Sequence, residues 1–236
     1  MAFYGRANRI FLESELLSGS LTDSQVAECD LDGLRVIGSH WKSTNMSDLN
    51  ASDSSFTGCD FDSSTFERIN MQGISITACA FSGMCLSGLT LIKATWNDVA
   101  FNGSVIKYCS LQRAAFSRLH AFGSTFSEFE ALSARIDRSA FLGCAFEICY
   151  GNGMNGFSGA EISNTIFCDC RFSGFPFRGA RLENCAFIRC RGEIGDDMEC
   201  HNIAGLPRLA EAEPRRIGNR AAARELLEKY GLREVS

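Results

Sequence analysis

Every fifth residue from Phe11 to Phe146 of this chain is apolar. Counting in fives from Phe11 through Leu16, Leu21, Val26 and Leu31 to Phe141 and Phe146, all 28 slots carry a hydrophobic side chain. The chain as a whole is only 45% hydrophobic, so chance would fill such a series roughly once in a billion trials. A period of five matches neither the 3.6 of a helix nor the 2 of a strand, so these side chains cannot share one face of either. They can share the inside of a tube whose wall turns a corner every five residues.

Two features refine that picture. The position two before each centre is Ser, Thr, Ala, Gly or Cys in 18 of the 27 slots from Ser14 to Cys144, which suits a second, smaller inward position. After Phe146 the phase slips by one residue across 149–154 and resumes at Phe157, Ile162, Phe167, Phe172, Phe177, Leu182 and Phe187. Glycines in that interruption predict a bulge or small loop. Four walls of five residues close a square coil of 20, and successive coils then stack at about 4.8 Å. Leu21, Trp41, Phe61, Phe81 and Phe101 are expected on one wall, and Phe126, Phe146, Phe167 and Phe187 on another. Phe56, Phe61, Phe66, Phe81, Phe101, Phe126, Phe146, Phe167 and Phe187 form the expected core ladder.

The units Ala114-Ala115-Phe116-Ser117-Arg118, Cys59-Asp60-Phe61-Asp62-Ser63 and Ala180-Arg181-Leu182-Glu183-Asn184 resemble the pentapeptide-repeat consensus: a small residue, a polar residue, Leu or Phe, then two variable residues. The resemblance covers about residues 11–190. It implies an all-β, right-handed quadrilateral β-helix of about nine coils, a rod roughly 40 Å long. Larger residues in the small slot, such as Leu34, Ile69 and Phe129, predict local departures from squareness.

The expected organisation is an N-terminal cap at 1–10, the β-helix at 11–190, and a connecting segment with a helix at 191–236. A helix over 220–230 follows from Asn219 as N-cap, Gly231 past its end, and Ala223, Leu226, Leu227 and Tyr230 on one face. So short a helix needs something to dock on, either the last coil or a second copy in a homodimer.

Signs of chemistry are few. His40, His120 and His201 are far apart, and the first two fall in outward slots. Nine of the twelve cysteines (Cys29, Cys59, Cys79, Cys109, Cys144, Cys149, Cys170, Cys185 and Cys190) fall in the small inward slot and read as core filler in the reduced state. Cys168 and Cys170 would lie on opposite sides of the wall, a poor geometry for zinc. Gly151-Asn152-Gly153 lacks the Lys and following helix of a phosphate loop. No cofactor, no metal and no catalytic residue is expected, and the chain reads as a non-enzyme.

Charge gives the functional expectations. The formal net charge of −5 disfavours direct binding to nucleic acid. No apolar run is long enough for a membrane span, and the first residues lack the layout of a signal peptide, so a cytoplasmic location is expected. Acids concentrate early: residues 1–100 hold twelve Asp/Glu against six Lys/Arg, whereas 101–190 hold seven against nine. Asp30, Asp32, Asp48, Asp53, Asp60, Asp62 and Glu67 are the candidate partner-binding surface. The expectation is a non-catalytic scaffold for a protein partner. The family resemblance implies an alternative, a DNA mimic that protects DNA gyrase and confers quinolone resistance. A further alternative is a bacterial effector or adaptor module.

Overall fold

A computed structural model describes residues 2–3, 15–17, 20–28, 30–148, 156–192, 198–201 and 203. Within them the chain winds as a four-sided coil in which all strand pairings are parallel. On the first face, strands including Arg35–Ile37, Ser55–Thr57 and Ser75–Thr77 align Val36 with Phe56, Ile76, Trp96, Phe116 and Ile136. On the second, Leu21, Trp41, Phe61, Phe81, Phe101, Ala121 and Phe141 lie in one column. The third aligns Val26, Met46, Phe66, Leu86, Ile106, Phe126 and Phe146. The fourth face has no strands among the described residues. Single bridges run up it from Asp30 through Asn50, Asn70, Thr90, Ser110 and Glu130 to Gly156.

The corners follow from backbone geometry. Two residues after almost every described centre the backbone enters the left-handed region, as at Asp23, Gly33, Ser43, Asp53, Ser63, Gly73, Lys93 and Tyr108. One such residue between two extended segments redirects the chain. Gly, Asn, Asp and Ser accept that conformation most readily. Glycine is obligatory at Gly174, where a Cβ would run into the backbone carbonyl of Ile148.

Side chains fill the tube. Phe56, Phe61, Phe66, Phe81, Phe101, Phe126, Phe146, Phe167 and Phe187 are all buried. Phe61 stacks on Phe81 with centroids 4.8 Å apart, and Phe81 on Phe101 at 5.0 Å. Trp41 meets Phe56, Phe61 and Phe66 edge-on across the interior. Removing each of these rings from water is worth roughly 1.5–3 kcal/mol, so the ladder supplies much of the folding energy of the described coil.

The small inward slot has a second purpose beyond fitting. Ser54 Oγ donates to the carbonyl of Leu31, one turn below, at 2.6 Å, and accepts the N–H of Leu34 at 3.2 Å. Ser64 and Ser104 repeat this arrangement with Thr44 N–H and Met84 N–H. Cys79 does the same with sulfur, accepting the Cys59 N–H and donating to Phe56. Corner amides that the ladder misses are thus paired, which buried polar groups require. Cys59, Cys79, Cys109, Cys144, Cys170, Cys185 and Cys190 are buried and free of disulfides, while Cys29 and Cys149 lie outside the described residues.

Three sequence expectations need correction or a limit. The interruption after Phe146 is an insertion of six residues, one whole unit plus one, so register jumps from 20 to 26: Phe146 pairs with Phe172, and Phe141 with Phe167. Phe126 and Phe146 therefore share a wall with Phe172, while Phe167 and Phe187 continue the wall of Phe141. A five-residue pattern shows only the remainder after division by five, and a slip of one and an insertion of six leave the same remainder. The stack also runs beyond Cys190: Arg191–Gly192 pairs with the strand Arg171–Ser173, and Glu199–His201 with Arg181–Glu183. Backbone pairing persists there without the apolar repeat, because a ladder needs only N–H and C=O groups. The expected helix, with Ala223, Leu226, Leu227 and Tyr230, lies outside the described residues. Among those residues no helix is long and apolar enough to cross a membrane.

Candidate partner-binding surface

The three positions of each unit that do not point inward make the outer faces, and there the acids of the first half are found. Asp30, Asp32 and Asp53 lie along the fourth face and its corner, Asp60 and Asp62 flank Phe61 on the second, and Asp48 and Glu67 belong to the third and its corner. Asp30, Asp32, Asp48, Asp53 and Asp60 are exposed, and Asp62 and Glu67 are half-buried. The structure brings them onto three faces without merging them into one stripe.

Stacking also supplies their partners. Arg68 reaches one turn down to grip Asp48 with two nitrogens, at 2.6 and 2.7 Å, and bonds Glu67 as well. Its guanidinium hydrogen bond holds the Asp48 carboxyl below the usual range. His40 Nδ1 lies 2.9 Å from Asp60, and Lys42 Nζ lies 3.9 Å from Asp62. Four of the seven candidate acids thus face a basic group, and the strongest of these, Arg68, is the residue immediately after the acidic run. In sequence it marks the end of the cluster; in space it sits inside it.

Asp30 stands differently. Its Oδ1 accepts from Asn50 Nδ2 at 3.0 Å, and Asn50 Oδ1 in turn accepts from Asn70 Nδ2 at 2.9 Å. Ser52 is tied to Asn50 and Asn70, and higher on the same face Gln112 bonds Glu130 at 2.8 Å. The fourth face therefore carries a polar strip whose members fix one another's orientation across turns, with a carboxylate at one end.

Taken together, one inward centre and one small inward residue per five positions, a left-handed corner between units, and four units per turn leave one description. The fold is a pentapeptide-repeat β-helix.

No protein-family model matches the chain, and no curated protein does. Among solved structures it is similar to HetL, a pentapeptide repeat protein involved in heterocyst differentiation regulation from the cyanobacterium Nostoc sp. strain PCC 7120. The identity is 16% and the TM-score 0.46, over 84% of this chain and 89% of that one. It is also similar to a trypsin-treated form of QnrB1, a plasmid-mediated fluoroquinolone resistance protein, at 14% identity and a TM-score of 0.44 over 94% and 100%. At such values neither likeness carries a partner or an activity across.

Elsewhere on the pentapeptide-repeat β-helix titratable groups meet in pairs, such as Arg138 with Asp137 and Arg189 with Asp169. His40, His120 and His201 are exposed, on the second face for the first two and on the first for the last. Among the described residues no three of His, Cys, Asp and Glu converge in a way that could hold a metal. Burial pushes the Cys109 thiol up to about 12 and Cys185 up to about 11. Cys168 rises to about 12 through burial and the adjoining Asp169 carboxylate. Thiols held protonated in this way are poor nucleophiles near neutral pH.

Sequence reasoning missed one group of outward residues. Ala140, Ile166, Ala186 and Ile188 occupy outward slots on the second face yet are buried. Phe122 and Leu142, in the same columns, are exposed at 63% and 37%. The available signal was hydropathy in the two positions flanking each centre, which on this face passes from charged to apolar along the rod.

Proposed function

We propose that this chain is a non-catalytic binding protein, a rigid rod that docks a protein partner on its fourth face through the strip that begins at Asp30. The observation that carries the reading is the chain of side-chain hydrogen bonds from Asp30 through Asn50 to Asn70. Side chains already locked by one another lose little freedom on binding, so their contacts convert more fully into affinity. Asp32 and Asp53 add exposed negative charge beside the strip, which suits a partner presenting Lys, Arg or backbone N–H donors. The test is affinity capture from the native host with the full chain and with Asp30→Lys/Asp32→Lys/Asp53→Lys. A partner held by the first and released by the second supports the reading; equal capture by both overturns it.

The second reading, protection of DNA gyrase by mimicry of duplex DNA, is favoured by the exposure of five of the seven candidate acids. It is weakened by Arg68 and Lys42, which break the negative field a DNA mimic requires. A gyrase supercoiling assay in the presence of a quinolone decides it: activity rescued by micromolar protein supports mimicry, and no rescue removes it.

A further inference from the structure

Along the strands of this rod, stacking sets unlike charges over one another. His40 lies opposite Asp60, Lys42 opposite Asp62, and Arg181 between Glu161 and Glu199. Among the described strand pairings a single one places like charges directly opposite: Arg171 and Arg191, on the last two described turns of the third face. Neighbouring strands are about 4.8 Å apart, and like charges at that spacing repel instead of supporting the sheet. Below them the same column is uncharged from Thr65 to Ala145. Both arginines are exposed, and neither has a hydrogen bond or ion pair among the described residues. Asp169, at the corner before Arg171, is gripped by two nitrogens of Arg189, and Arg191 acts on it only through its field.

A cleft of about 320 Å³ opens at the same place. Arg171 and Arg191 stand on one side of it and Glu147 and Ser173 on the other, all four exposed, with the centres Phe146, Phe172 and Gly192 along its floor. Two guanidiniums and a hydroxyl supply donors, and the Glu147 carboxylate supplies an acceptor. That combination selects among anions. Guanidinium forks match carboxylates and phosphates alike. A carboxylate in the opposite wall repels a doubly charged phosphate more than a singly charged group, and it can accept a peptide N–H. A space of this size, at the small end of ligand clefts, suits a side chain or two of an extended segment.

We propose that this cleft docks an acidic segment of a protein partner, with an Asp or Glu side chain of that segment held between Arg171 and Arg191 and a backbone N–H turned to Glu147. The bound carboxylate relieves the repulsion that stacking builds into these two turns. The site lies on the third face, whereas the strip that begins at Asp30 runs along the fourth, so the two readings stand or fall separately.

Fluorescence anisotropy with the full chain at near-physiological salt tests it. The labelled probes are a short peptide rich in Asp and Glu, its Asn/Gln counterpart, and a short DNA duplex. The acidic peptide is expected to bind, and Arg171→Glu to weaken it by about tenfold or more. The same substitution sets an acid opposite Arg191, so it should raise the melting temperature by about 1–2 °C. Lost binding in a more stable chain cannot come from misfolding. Arg113→Glu makes the same charge change at an exposed corner elsewhere and should leave the affinity within about twofold. The proposal is overturned if the parent chain does not bind the acidic peptide, if Arg171→Glu binds it as tightly as the parent, or if Arg113→Glu weakens it equally. Binding of the duplex or of the uncharged peptide as tightly as the acidic one overturns it as well.

Discussion

Phe141 and Phe167 lie face to face, centroids 5.1 Å apart and only 5° from parallel, across the one turn that is 26 residues long. The stack below that turn and the stack above it are therefore continuous, and the six extra residues leave the core undisturbed. Deleting 149–154 restores a 20-residue turn and places Asn155 in the small slot before Phe157. The shortened chain should keep its β-sheet circular dichroism and melt within a few degrees of the parent, as loop changes outside a core do. Loss of cooperative unfolding would show that the insertion holds the turn together.

Phe61 stacks on Phe81 and meets Trp41 and Phe66 edge-on, each at 5.4 Å. Phe61→Ala should cost about 3–5 kcal/mol, from lost burial and the cavity left behind. Trp96 makes a contrast: its ring packs on Phe81 and Phe101, but its buried Nε1 has no hydrogen-bond partner. Trp96→Phe gives up some volume and also removes an unpaired donor worth about 1–3 kcal/mol. It should cost no more than about 1 kcal/mol in urea titration. A loss equal to that of Phe61→Ala would refute the account of the indole.

Ser54→Ala removes the acceptor of the Leu34 N–H and the donor to the Leu31 carbonyl. A loss of about 1–3 kcal/mol is expected, because both backbone groups stay buried. Ser54→Cys should recover part of it, as Cys59 and Cys79 make the same bonds with sulfur. Equal stability of the Ala and Cys variants would mean that the slot selects for size alone.

Ala78 holds a φ of +53° at an exposed corner without the side chain that eases this conformation. Left-handed geometry costs an L residue about 1–2 kcal/mol, and glycine's extra freedom in the unfolded chain returns about 0.5–1. Ala78→Gly should therefore stabilise the protein by about 0.5–1 kcal/mol, read as a rise in melting temperature. A fall would contradict the corner assignment.

Asp137 accepts from Asn164 Nδ2 at 2.8 Å and Ser163 Oγ at 2.9 Å, and pairs with Arg138 at 2.7 Å. Partial burial opposes its ionisation, but these bonds outweigh it and hold the carboxyl below its usual value. A depressed folded pKa gives stability that is present above the unfolded value near 4 and is lost as pH falls through the folded one. The difference in stability between the parent and Asp137→Asn should be largest at neutral pH and shrink below about pH 4. A difference that stays constant from pH 7 to pH 3 would show that the carboxylate charge contributes nothing.

Much of the coil could be read from the sequence because an inward slot tolerates few side chains. Phe56, Phe61 and Phe66 declare themselves by spacing, and Ser54 and Cys59 by size. The corner residues carried a weaker signal: Gly33, Asp53 and Ser63 fit a left-handed bend, but Lys93, Tyr108 and Arg113 adopt it too, so composition there blurs the rule. The acids Asp48 and Asp60 were visible as charge, while the placement of Arg68 against Asp48 and of His40 against Asp60 was not. Those pairs lie 20 residues apart and meet only when turns stack.

The apolar five-residue repeat by itself determined that this chain winds into a tube with an aromatic interior, since a wall that turns a corner every five residues removes those side chains from water together. Tertiary structure alone decided which turns lie on which. It set the 26-residue turn that moves Phe172 onto Phe146, the cations that reach the first-half acids, and the buried outward slots at Ile166 and Ile188. The physical reason is that a repeat specifies each unit's inside from its own residues, whereas neighbours on the outside are set by how many residues separate one turn from the next.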